Sequence, residues 1–71
     1  MNTVVLEVPD ISCAHCERAI TEALEPVAGV REVGVDIAAR TVTIAYDGGS
    51  VGVERLREVL AEADYPAAAE R

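Results

Sequence analysis

A chain of 71 residues carrying a formal charge of −7, 51% of it hydrophobic, has room for one small core and none for a two-lobed enzyme. Its cations are all Arg, and the acidic balance argues against nucleic acid and anionic membrane surfaces, both of which need a basic face, and for a partner that presents a basic patch. With Tyr46 and Tyr65 the only aromatic residues, the core is expected to be aliphatic and the chain folded.

In chain order, Thr3 to Val8 is rich in β-branched residues and is ended by Pro9-Asp10, since proline removes a ladder donor. From about Cys13 to Val27 the apolar set Cys16, Ala19, Ile20, Ala23, Leu24 and Val27 repeats at helical spacing, with Ser12 placed as the N-cap. Pro26 and Gly29 stop that helix. A second strand is predicted from Val30 to Ile37, where Val30, Val33, Val35 and Ile37 alternate imperfectly with polar neighbours. Ala38-Ala39-Arg40 makes a tight connection to Thr41–Tyr46, whose Val42, Ile44 and Tyr46 share one face.

Asp47-Gly48-Gly49-Ser50 is a loop, with Ser50 as a candidate cap for a second helix that puts Val53, Leu56, Leu60 and Ala63 on one face. Beyond Tyr65-Pro66, residues 67–71 leave space for a short last strand of poor strand formers. The order β-α-β-β-α-β predicts an α+β, ferredoxin-like fold over residues 1–71. Its two helices cover one face of a four-stranded antiparallel sheet.

Residues 1–8 lack a basic start and an apolar run, and no stretch approaches the ~20 apolar residues that span a bilayer. The sequence therefore predicts a cytoplasmic chain without membrane insertion. Both cysteines lie in Cys13-Ala14-His15-Cys16, too short a loop to staple a fold, so reduced thiols in a reducing compartment are expected. At i and i+3, one in the loop and one in the first helical turn, the two sulfurs point at one spot near unsatisfied backbone N–H groups. Such a terminus lowers a thiol pKa from its usual ~8.5 and favours thiolate, the form that binds metal.

Two thiolates form a soft, under-filled site that suits Cu(I). A closed zinc site would need four ligands, for which only His15 and Asp10 stand near. Cysteines packed as small hydrophobes are the remaining alternative, though such residues rarely flank a histidine at a loop-to-helix junction.

The run Val8-Pro9-Asp10-Ile11-Ser12-Cys13-Ala14-His15-Cys16, with Asp64-Tyr65-Pro66 after the second helix, resembles the heavy-metal-associated domain family, closest to its bacterial copper chaperones of the CopZ type. The resemblance covers nearly the whole chain. It implies Cu(I) as cargo, held in near-linear geometry by Cys13 and Cys16, and a carrier with no catalytic activity. As partners it implies a copper-transporting P-type ATPase or that ATPase's N-terminal metal-binding domain, and a copper-responsive repressor. It further implies a monomer when free of metal and a copper-bridged homodimer when loaded.

Two positions depart from the family pattern, which has Met where Ile11 stands and usually Gly where Asp10 stands. Ile replaces the packing volume of Met. Asp10 is either a solvated turn residue or a carboxylate that hardens the site toward Zn(II) or Cd(II). His15 is either a solvent-facing modulator of the thiolates or an additional ligand when two copies meet over bridging copper. The resemblance puts Tyr65 over the metal loop, its ring packed and its hydroxyl toward the sulfur ligands.

Two other functions compete with a free carrier. A thiol-disulfide oxidoreductase uses the same Cys-x-x-Cys, but the length, the element order and the absence of a flanking Pro and Trp speak against it. A metal-binding domain of a Zn(II)-, Cd(II)- or Cu(I)-transporting ATPase would share fold and site. The start at Met1 and the lack of a trailing linker favour a free-standing carrier.

Overall fold

The computed structural model describes residues 2–12 and 14–70; Met1, Cys13 and Arg71 lie outside the described residues. The elements are β1 (Asn2–Glu7), α1 (Ala14–Leu24), β2 (Val30–Asp36), β3 (Thr41–Tyr46), α2 (Val53–Glu62) and β4 (Ala69–Glu70). The strands lie in the order β2-β3-β1-β4, and every neighbouring pair is antiparallel. Among the described residues no helix is long and apolar enough to cross a membrane.

Alternation decides which face is buried. Val4, Leu6 and Val8 pack with Val42, Ile44 and Tyr46 on one side of the sheet, while Thr3 and Thr43 stay exposed on the other. Ile20 and Leu24 of α1 and Leu56, Val59 and Leu60 of α2 join the same cluster, so both helices cover one face. This is the ferredoxin-like arrangement that the element order predicts.

The imperfect alternation in β2 has a structural cause. Val30 pairs with Tyr46, but Glu32 pairs with Ala45, so the register shifts at Arg31. One extra residue turns both Arg31 and Glu32 outward and restores Val33 and Val35 to the helix side, as a β-bulge does.

Four boundaries differ from expectation. The first helix ends at Leu24 rather than Val27, because Pro26 has no N–H to continue the ladder. Val27 N–H closes a tight turn on Leu24 O (3.0 Å) instead. Ser50 does not cap α2: Gly52 occupies that position, and the Ser50 hydroxyl donates to Asp47 Oδ2 (3.3 Å). The first two strands each stop one residue earlier than predicted, at Glu7 and Asp36.

Gly29, with φ +93°, joins α1 to β2 where an added Cβ would come within 2.8 Å of Ser50 Cβ. Only glycine combines that backbone with that closeness.

Candidate metal centre

Three segments meet at one end of the sheet. Val8 N–H donates to Arg40 O (2.8 Å), tying the start of the 9–12 loop to the β2–β3 turn, and Ala68 N–H donates to Glu7 O (2.7 Å), bringing the chain after α2 alongside. Ile11 is fully buried, and its N–H closes the loop on Val8 O (3.1 Å). A core side chain therefore fastens the loop from beneath while its polar residues stay outside.

Cys16 lies in the first turn of α1 and is buried, at 6% exposure. Its Sγ lies 3.7 Å from Ser12 Oγ and donates toward the Asp10 backbone carbonyl at 4.0 Å. Cys13, the other expected ligand, lies outside the described residues, as does the junction at which Ser12 was expected to cap the helix.

The remaining candidates separate. His15 and Asp10 are exposed, and among the described residues no three His, Cys, Asp or Glu groups gather at one point. Asp10 meets Cys16 through its main chain. A carbonyl is available from any residue type, so no sequence pattern could have indicated that contact. The pairing of Ser12 with the thiol was missed for a different reason: serine before a helix reads first as a cap.

Tyr65 is placed by the end of α2. Asp64 adopts left-handed backbone (φ 69°), Asp64 N–H donates to Ala61 O (3.1 Å), and Tyr65 N–H reaches back to Leu60 O (2.8 Å). These two bonds form a Schellman ending in which Asp takes the place usually held by Gly. The motif turns Tyr65, half-buried, onto the hydrophobic cluster that contains Leu60.

Residues 5–66 match the heavy-metal-associated domain family. The mercuric transport protein periplasmic component of Shigella flexneri is 36% identical over 64 residues, which span 90% of this chain and 70% of that protein. The copper chaperone CopZ of Staphylococcus haemolyticus is 34% identical over 61 residues, spanning 86% of this chain and 90% of that one. Among solved structures, a copper binding domain from HMA7, a P-type ATPase, superposes with a TM-score of 0.90 at 25% identity, covering 100% of this chain and 99% of that one.

Proposed function

The chain belongs to the heavy-metal-associated domain family, and from that premise we propose that it carries one Cu(I) ion between Cys13 and Cys16 in the cytoplasm and passes it to a partner. The observation that carries this reading is the buried Cys16 at the helix start, with the Asp10 carboxylate in the preceding loop and the His15 imidazole in the helix's first turn both exposed. Sulfur without hard ligands selects a soft ion that accepts low coordination.

Transfer follows from that low coordination number. A thiolate of the partner bonds to the ion, one of the two cysteines leaves with its electron pair, and the exchange repeats without oxidation or full release to water. A copper-transporting P-type ATPase, through its own metal-binding domain, suits this step, and the fold shared with such a domain supports it. A copper-responsive repressor is a second recipient in this reading. Nothing in the step requires the chain to be an enzyme.

Hg(II) is the second reading, favoured by the likeness to the mercuric transport component. It is equally soft and equally content with two thiolates. Competition titrations with Cu(I), Hg(II) and Zn(II), each with stoichiometry, distinguish the readings. We expect one Cu(I) per chain, and loss of tight binding when Cys13 and Cys16 are both replaced by Ser. Retention of Cu(I) by the double variant against a strong chelator would overturn the proposal.

A further inference from the structure

Resting on the reading of Cys16 as a metal ligand, we propose that Ser12 is a positioning residue for metal release, donating its hydroxyl hydrogen to Cys16 Sγ as that sulfur leaves the ion. The two atoms lie 3.7 Å apart, and the same sulfur faces the Asp10 carbonyl at 4.0 Å. These two neighbours differ in what they can offer. A carbonyl only accepts, so it serves a thiol that carries a proton; a hydroxyl both accepts and donates, so it serves the sulfur with or without one. Once metal has displaced the proton, the Asp10 carbonyl has nothing to accept from Cys16, whereas Ser12 can still donate.

In the exchange step an incoming ligand forms a bond to Cu(I), the Sγ–Cu bond breaks, and its electron pair stays on sulfur. Copper keeps its oxidation state and no proton moves. Negative charge grows on Cys16 Sγ during that step, and a hydrogen bond to a charged acceptor is stronger than one to a neutralised acceptor. The donor therefore stabilises the departing sulfur more than the bound one, which is the condition for accelerating release. Ser12 is exposed and Cys16 buried.

The test uses the full chain loaded with one Cu(I), with bicinchoninate as the acceptor and stopped-flow absorbance as the readout. Ser12→Ala should release Cu(I) about fivefold more slowly, the effect of losing one modest hydrogen bond. Ser12→Thr, which keeps the hydroxyl, should restore the wild-type rate. The ultraviolet Cu–thiolate band should move to lower energy in Ser12→Ala alone, because a sulfur without its donor holds its electrons less tightly. Release from Ser12→Ala at the wild-type rate or faster, or equally slow release from Ser12→Thr, would overturn the inference while leaving the carrier reading intact. A wild-type chain that took up no Cu(I) would overturn both.

Discussion

Ile11 shows how one side chain ties the site to the fold. It has no exposed surface, belongs to the main cluster, and closes the loop by its own N–H on Val8 O. Ile11→Ala should therefore cost about 2–4 kcal/mol, the range for truncating a large buried aliphatic residue. Ile11→Met keeps nearly all the volume and should cost under about 1.5 kcal/mol. Urea titrations of the two variants would check this; an exposed loop residue would show neither loss. The burial of position 11 was expected through the family resemblance, in which Ile takes the packing volume of Met. The place of Cys16 on the buried face at the helix start was legible in the helical spacing of the apolar residues. Its surroundings were not, since a main-chain carbonyl and a serine's choice of partner depend on how the loop closes.

At the scale of elements, hydrophobic periodicity was enough to find both helices and the β2–β3 hairpin, whereas β1 was found by its β-branched content and the two-residue β4 only by the space left for it. The irregular spacing of Val30, Val33, Val35 and Ile37 held the bulge in view, yet only the pairing with β3 shows that the extra residue is Arg31. Between β3 and α2, the loop order rests on Asp47, which accepts from Gly49 N–H (3.0 Å) and from the Ser50 hydroxyl (3.3 Å). The Gly49 bond is the main reason that its carboxyl is held below the ordinary 3.8. A pKa depressed in the folded state contributes stability above the unfolded value, and that contribution disappears as pH falls through the folded one. Asn at this position still offers an oxygen to Gly49 but no charge. The wild type should accordingly be more stable than Asp47→Asn at neutral pH. The gap should narrow only below about pH 4 and close in stronger acid. Denaturation midpoints of both proteins across that range measure it, and a gap independent of pH would remove the charge from the account.

For the molecule as a whole, the question is whether the metal belongs to the fold. The core runs from Ile11 through β1 and β3 to Val51, joined by Ile20, Leu24, Leu56 and Leu60, while Cys16 stands at its edge. Two cysteines three residues apart close almost no loop, so the ion proposed to bind between them restricts the unfolded chain little. This differs from a zinc finger, whose ligands are distant and whose core is too small to fold without metal. The apolar cluster here joins both helices to the sheet without any ligand bond. The metal-stripped, reduced chain should therefore keep its helical circular dichroism and melt cooperatively. Loading should stabilise the fold through mass action alone, by at most about 4 kcal/mol when free ion exceeds the dissociation constant a thousandfold and less to the extent that the unfolded thiols also bind it, and the melting temperature should rise accordingly. Loss of the helical signal on stripping would mean that the loop organises the core, reversing the order in which the burial pattern says the structure is built.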